Sequence, residues 1–316
     1  MGKSREAILA RLRENQEQYL PGDLLSSGLG ISRAAVWKQI RELRKDGYRI
    51  NAVPNRGYRL EKEPDFLEAK KLEDSSIYYY HSVDSTNRVA RRLADDGAPN
   101  YSTVVAEEQL EGRGRLGRSW FSPAASGIWL SIILRPQMLI PSQAAPVTLV
   151  TAAILANLIN NHYNLPLKVK WPNDLLLKDK KVGGILTELK GELDKIEYLI
   201  VGIGLNINQQ QQDFPKGLRK VATSLHIESG EYFNRTDIIV AIRDNLVRAF
   251  NIFFNEGFPP FYMTWKKYNV TLGQKVTLSW KGGLLQGKAI LLTREGALQI
   301  QDNRGEIYTV NYGELI

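Results

Sequence analysis

The sequence has no cysteine in 316 residues. That excludes disulfides, thiolate metal sites and thiol nucleophiles together. Histidine is nearly as scarce: His81, His162 and His226 are the only three, at spacings that suggest no metal cluster. No run approaches the roughly 18 to 20 apolar residues of a membrane span, and the N-terminus, MGKSREAILARL, is charged from its third residue. The expectation is an untargeted, soluble, cytoplasmic protein with no membrane partner. With 43% hydrophobic and 24% charged residues, a globular chain of two or three domains is the default.

Positive charge, by contrast, is plentiful and unevenly placed. The net charge is +8, and residues 1–64 alone hold 13 Lys and Arg against 8 Asp and Glu. A fifth of the chain therefore carries most of the excess, which favours an anionic partner there. In this segment Ile8, Leu9 and Leu12 fall at helical spacing, and Pro21-Gly22-Asp23 opens a second short helix with Leu24 and Leu25. Gly28-Leu29-Gly30 makes a turn. A third helix follows in ISRAAVWKQIRELRKDG, with Ser32 as N-cap, Val36, Ile40 and Leu43 on one face, and Gly47 as the stop.

The opposite face of that third helix collects Ala34, Lys38, Arg41 and Lys45. A small residue near the start permits close approach to a groove, and the cations behind it neutralise phosphates. Alone, such a face is more often simply solvated. The sequence GYRINAVPNRGYRL then alternates Tyr48, Ile50 and Ala52, turns through Pro54-Asn55-Arg56-Gly57, and resumes with Tyr58 and Leu60, a hairpin with a basic tip. Three helices and a basic hairpin predict a winged helix-turn-helix over residues 1–64, with Ser32, Arg33, Ala34, Lys38, Arg41, Lys45 and Arg56 as candidate DNA contacts. Charged EKEPDFLEAKKLED reads as a linker and a short connecting helix, with the boundary near Pro64.

From Ile77 onward, strand-like runs (IYYYHSV, STVVAEEQ, GIWLSIILRP, LKVKWPND, VGGILTELK, EYLIVGIGLNIN) alternate with helices near 85–97, 146–163 and 235–256. This predicts a central mixed-sheet α/β domain over 65–270, within an α+β multidomain protein. Asp84, Ser85, Thr86 and Asn87 start a helix where hydroxyls and free N–H groups can hold a polar ligand, although capping alone would explain Ser85. The stretch EGRGRLGRSW, residues 111–120, packs three glycines and three arginines into ten residues. It lacks the Lys-Ser/Thr ending of a P-loop and the spacing of a dinucleotide fingerprint. Its glycines still let the backbone approach an anion, its arginines offer forked donors, and Trp120 can stack on a base. In VKWPNDLLLKDKKVGG, Lys170 ends an apolar run, Trp171-Pro172-Asn173-Asp174 reads as a turn, and Lys181 precedes Gly183-Gly184. Singly Asp174 is a turn residue; with the arginine loop the set looks like a site for ATP and a carboxylate.

The motifs STN, GRGRLGRSW, KWPND followed by KKVGGIL, and GIGLNIN, with GISRAAVWKQIRELRKDGY and NRGYRL in front, resemble the biotin–protein ligases, in the bifunctional bacterial form that is also the biotin-operon repressor. The resemblance runs essentially end to end. It implies that biotin and MgATP give biotinyl-5′-adenylate and pyrophosphate, after which a lysine of the biotin carboxyl carrier protein, a subunit of acetyl-CoA carboxylase, attacks the anhydride. By the same resemblance Ser85, Thr86, Asn87 and Gln109 bind the biotin head group beside the backbone of Gly112 and Gly114. Arg113, Arg115 and Arg118 hold the carboxylate and phosphate. Trp120 packs on adenine, Lys181 binds the biotin carboxylate and α-phosphate, and Lys170 stabilises developing charge. Asp174 assists magnesium or orients the incoming lysine, and Asn206 approaches the nucleotide. Leu116 stands where some members carry arginine. The adenylate is expected to act as corepressor, favouring a homodimer that binds a palindromic biotin operator. A repressor that only senses its ligand, and a lipoate–protein ligase, are the competing readings; the absence of cysteine weighs against octanoyl transfer through a thioester.

After PPFYMTWKKYN, residues 271–316 show about five short apolar strands separated by Lys281-Gly282-Gly283, Arg294-Glu295-Gly296 and Asn303-Arg304-Gly305. A small barrel is expected, and the resemblance implies an SH3-like domain.

Overall fold

A computed structural model describes residues 3–63, 65–68, 72, 76–192, 194–280 and 282–315. The chain divides into two compact units, Met1–Phe66 and Leu67–Ile316. Pro64, where the sequence suggests a boundary, and most of the connecting helix expected after it lie outside the described residues.

In the first unit, helices α1 (Lys3–Glu14), α2 (Gly22–Leu29) and α3 (Arg33–Lys45) precede an antiparallel hairpin of β1 (Arg49–Val53) and β2 (Gly57–Lys62). Ile8, Leu9 and Leu12 of α1 meet Leu25 of α2 and Val36, Ile40 and Leu43 of α3 in one core that Ile50 and Leu60 close. Gly30 ends α2 in the left-handed region, φ 63°, where its missing side chain costs least. Ala52, expected on the buried face of the hairpin, is exposed, because the core contact of β1 ends at Ile50. The hairpin gains a short third strand: Leu20 and Tyr58 exchange backbone hydrogen bonds of 2.8 and 2.9 Å. Gly57 permits this, since at φ 106° a Cβ there would strike the carbonyl of Leu20.

The second unit is built on a seven-stranded sheet. In chain order its elements are β3 (Ile77–Val83), α4 (Thr86–Asp95), β4 (Thr103–Gln109), β5 (Gly127–Leu134), α5 (Pro146–Tyr163), β6 (Lys168–Lys170), β7 (Asp174–Leu177), β8 (Lys180–Gly191) and β9 (Ile196–Asn206). The strand order is β3-β4-β5-β9-β8-β7-β6, with only β3 and β4 parallel. Helices α6 (Leu225–Ser229), α7 (Arg235–Glu256) and α8 (Pro259–Tyr268) follow. Asp174 is not the end of a turn but the first residue of β7, a strand the sequence reading missed because LLLKDKK is short and partly charged.

Strand periodicity sorts the two faces. Ile128, Leu130, Ile132 and Leu134 of β5, and Leu199, Val201, Ile203 and Leu205 of β9, enter the large core with α5, α7 and α8. The alternate residues Ile133, Tyr198 and Ile200 pack with Val89, Ala90 and Ala94 of α4. Farther along the α4 face β9 carries Gly202, Gly204 and Asn206, and these positions belong to the site described below. The span Pro141–Tyr163 is long and apolar enough to cross a membrane by composition, but 67% of its most apolar window is buried, as α5 in this core.

The C-terminal strands β10 (Lys275–Trp280), β11 (Gly283–Leu292), β12 (Leu298–Gln301), β13 (Ile307–Val310) and β14 (Glu314–Leu315) are the five expected. They form an open sheet, β13-β12-β11-β10-β14, whose first and last strands are edges, so the small barrel expected from the sequence is not closed by strand pairing among the described residues. Leu278, Ala289, Leu292, Leu298, Ile300 and Val310 share one continuous core with the central sheet.

Candidate functional site

Most of the residues singled out from the sequence line one cleft of about 230 Å³ in the second unit. Ser85, Thr86, Asn87, Gln109, Arg113, Gly114, Arg115, Arg118, Trp120, Lys170, Asp174, Lys181 and Asn206 all contribute. Gly112 lies beside it and is buried; a Cβ there would strike the Trp120 carbonyl and Ser122 Oγ.

The polar end starts at the N-terminus of α4. Ser85 occupies the N-cap, yet its side chain makes no capping hydrogen bond, so capping does not account for this residue. Its own N–H donates to Asp84 Oδ1 at 2.7 Å. The Thr86 N–H donates 2.9 Å to Gln109 Oε1, and Gln109 Nε2 donates 2.8 Å to Ser122 Oγ. Ser131, reaching from β5, lies 2.8 Å from Thr86 Oγ1 and 2.6 Å from Asn87 Oδ1. Asn87 Nδ2 donates 2.8 Å to Glu188 Oε2 of β8. A Cβ on Gly202 would strike Asn87 Oδ1, so only glycine admits this side chain. Ser85, Thr86, Asn87 and Ser131 are all at most 5% exposed; burial of the Thr86, Asn87 and Ser131 side chains is stable because they are hydrogen-bonded.

The cationic end is the arginine loop and the β6–β8 region. Residues 112–120 form an ordered loop: Trp120 N donates to Gly112 O at 2.8 Å and Gly114 N to Arg118 O at 2.7 Å, around a single 3₁₀ turn at Arg115–Gly117. Leu116 sits at φ 56°, in the left-handed region, with its side chain 76% exposed. Arg115 turns inward, donating 3.1 Å to Asn173 Oδ1 and 2.9 Å to Gly313 O. Burial holds its pKa below the usual arginine value, against the upward pull of Glu314 and Asp174. It nonetheless stays charged in any physiological buffer. Arg118 pairs with Glu314. Arg113 is exposed and bridges to Ser119. Lys170 ends β6 opposite Asp174 in the ladder, and Lys181 Nζ lies 2.6 Å from Asp174 Oδ1.

Trp120 joins the two ends. Its ring lies 5.6 Å from Lys181 Nζ and against β8 and β9, where a Cβ on Gly204 would strike Nε1 and one on Gly184 would come within 3.6 Å. The buried indole Nε1 has no hydrogen-bond partner among the described residues. Asn206 donates 2.9 Å to Thr223 O at the edge of the 214–222 loop, whose Phe214, Leu218 and Val221 also line the cleft.

In the first unit Ser32 caps α3 by accepting from Ala35 N at 3.1 Å. Arg33, Ala34, Lys38, Arg41 and Arg56 are all exposed. Arg33 is paired with Asp23; the Lys45 side chain lies outside the described residues. Arg41 stacks 5.7 Å from the ring of Trp37, itself 56% exposed, and Arg56 and Arg59 each sit 4.8 Å from the ring of Tyr19. The result is a cationic, aromatic face on α3 and the hairpin.

Comparison with known proteins agrees with both halves. Residues 79–206 match the biotin/lipoate A/B protein ligase family, and residues 4–59 match a helix-turn-helix domain. The bifunctional ligase/repressor BirA of Bacillus subtilis is 36% identical over 318 residues, covering 97% of each chain. The chain belongs to the family of bifunctional biotin–protein ligase/repressors. The Escherichia coli ligase/repressor is 29% identical, covering 89% of this chain and 90% of its own. A solved biotin protein ligase from Aquifex aeolicus, in complex with biotin and ATP, superposes with a TM-score of 0.67 at 29% identity, covering 77% of this chain and 98% of its own.

For this ligase/repressor, several site residues escape a reading of the sequence. Ser122, Ser131 and Glu188 carry no motif-like spacing, and each meets its partner across 13 to 101 positions of sequence. Only the alternation of β5 and β8 would have placed Ser131 and Glu188 on the face that holds α4.

Proposed function

We propose that this cleft performs biotin adenylation and transfer with the residues described above. The observation that supports it best is that one cleft is lined by an uncharged hydroxyl and amide cluster and by a cationic group of Arg115, Lys170 and Lys181. Biotin has matching chemistry: a neutral, hydrogen-bonding ureido ring and a carboxylate. Ser85, Thr86, Asn87 and Gln109 would take the ureido ring, with the backbone of Gly112 and Gly114 beside it. The carboxylate would lie by Lys181 and attack the α-phosphorus of ATP. A carboxylate–phosphorus bond forms and pyrophosphate leaves, while Arg113, Arg115, Arg118, Lys170 and Lys181 stabilise the phosphate charge. Trp120 and Asn206 would receive the adenine. A carrier lysine amine then attacks the acyl carbon, AMP departs, and the amine proton is lost.

Magnesium enters this account with the nucleotide, as MgATP. Asp174 is already held by Lys181 at 2.6 Å, and no group of three His, Asp or Glu side chains gathers among the described residues. The triphosphate oxygens would then be the metal's main ligands, and Asp174 would add one more or orient the incoming lysine.

The three modules, 1–64, 65–270 and 271–316, would divide the work: operator DNA on α3 and the hairpin, chemistry on the central sheet, and ATP and carrier use assisted by a C-terminal SH3-like sheet. Arg115 supports the last assignment, since it reaches the Gly313 carbonyl. In the cytoplasm, retained adenylate would favour a homodimer that binds a two-fold symmetric operator, provided the adenylate binds the dimer-competent state more tightly. Protein mixed with biotin and MgATP, desalted and denatured should release biotinyl-5′-AMP detectable by mass spectrometry. Release of AMP and biotin alone, from folded protein, would refute retention of the intermediate.

A further inference from the structure

The hydrogen bonds at the polar end form one chain. It runs from Glu188 through Asn87, Ser131, Thr86 and Gln109 to Ser122, whose Oγ lies 3.1 Å from the Trp120 carbonyl. Counting protons along it shows which way each group points. Asn87 Nδ2 faces two acceptors, Glu188 Oε2 at 2.8 Å and Leu186 O at 3.4 Å. A carboxylate can only accept, so it fixes the amide with Oδ1 toward Ser131. That oxygen, 2.6 Å from Ser131 Oγ, takes the single Ser131 proton. Thr86 Oγ1 gives its own proton to Gln109 Oε1 at 3.1 Å, and Ser131 Oγ, 2.8 Å away, is placed to donate to it only when the single Ser131 proton is not on Asn87 Oδ1. While Asn87 Oδ1, the closer acceptor at 2.6 Å, holds the Ser131 proton, the Thr86 Oγ1 lone pairs are left for a donor in the cleft.

If Asn87 were flipped, Nδ2 would donate to Ser131. The Ser131 proton would then turn to Thr86 and fill the acceptor that a ligand N–H needs. We propose that Glu188, which does not line the cleft, is a positioning residue that sets substrate specificity: its carboxylate locks the Asn87 amide, keeps Thr86 Oγ1 an acceptor, and so selects an acid whose ring offers an N–H donor. The inference rests on Ser85–Asn87 and Gln109 being the head-group site. Glu188 also pairs with Arg91 at 2.8 Å, a contact on the side away from Asn87 that provides a control.

The test compares wild type, Glu188→Gln and Arg91→Ala in biotin-dependent ATP–pyrophosphate exchange, using biotin and biotin methylated on a ureido nitrogen. A glutamine amide can donate to Asn87 Oδ1 and stabilise the flipped state. KM for biotin should therefore rise about tenfold in Glu188→Gln, the scale of one charge-assisted hydrogen bond. The exchange rate at saturating biotin should stay within about twofold, and the preference for biotin over its N-methyl analogue should narrow. Arg91→Ala should leave KM and preference near wild type. An unchanged KM and preference in Glu188→Gln, an equal effect from Arg91→Ala, or a loss confined to the saturated rate would overturn the proposal. Wild-type exchange that biotin does not stimulate would instead overturn the head-group assignment on which it rests.

Discussion

Arg115 Nη2 donates a 2.9 Å hydrogen bond to the carbonyl of Gly313, joining the arginine loop to the last turn of the C-terminal sheet. Its other terminal nitrogen reaches Asn173 Oδ1 at 3.1 Å. One side chain thus ties together three segments that border the cleft, and it does so with a half-buried charge.

Arg115→Gly should therefore loosen the intermediate more than it slows its synthesis. Dissociation of pre-formed biotinyl-5′-AMP, followed by rapid filtration, should quicken about tenfold or more, the scale of a lost charged hydrogen bond. A mutant that retains the adenylate as long as wild type would show that Arg115 only braces the loop.

Two glycines separated by one residue offer a cleaner dissection. A methyl on Gly202 strikes Asn87, whereas a methyl on Gly204 strikes Trp120. Gly202→Ala should raise KM for biotin more than KM for ATP, and Gly204→Ala should do the reverse. Parallel changes in both constants would mean that the α4 cluster and Trp120 do not serve separate ligands.

The fully buried pair of Arg235 and Glu107, 3.1 Å apart, concerns stability. Glu107 also accepts from the Leu67 N–H, and Arg235 donates 2.9 Å to Gly127 O. Glu107→Ala removes the counter-charge of a buried guanidinium and should cost about 3–5 kcal/mol in denaturant unfolding. Replacing both by apolar residues, Glu107→Leu with Arg235→Met, should recover much of that loss. Failure of the double variant to improve on the single one would contradict this.

Near the same pair, burial first and the Glu107 charge second push the Tyr79 phenol up to about 12 from an ordinary 10.0. Below pH 10 the phenol is protonated in both folded and unfolded chains. Between pH 10 and 12 only the unfolded chain ionises, so stability should fall across that window. Tyr198, also raised to about 12, adds to the loss. Tyr79→Phe should make stability fall less steeply from pH 10 to 12; an unchanged slope would assign the loss elsewhere.

On the first unit, Lys38→Ala with Arg41→Ala should weaken operator binding and reduce the slope of log affinity against log salt by about 2, while pyrophosphate exchange is unchanged. Equal loss of both activities would point to misfolding rather than to a phosphate-contacting face.

How much of this the sequence disclosed depended on the range of the interactions. Ser32, Val36, Ile40 and Leu43 declare a capped amphipathic helix within a dozen residues, and the glycine–arginine loop shows its concentration of cations in ten. Local chemistry suffices in such cases. Asp174 as a strand residue, Ala52 as an exposed one and the open C-terminal sheet depend on which strand pairs with which, and composition does not carry that. Ser131 and Glu188 were invisible for the same reason: an isolated serine in a buried strand and a glutamate near a strand end mean nothing until the sheet sets them against Asn87.

The most direct test of the account is ATP–pyrophosphate exchange by the purified full chain with magnesium, comparing biotin, lipoate and no acid. Exchange should require biotin and should not be supported by lipoate. Exchange preferring lipoate, or no exchange with either acid from folded protein, would contradict it.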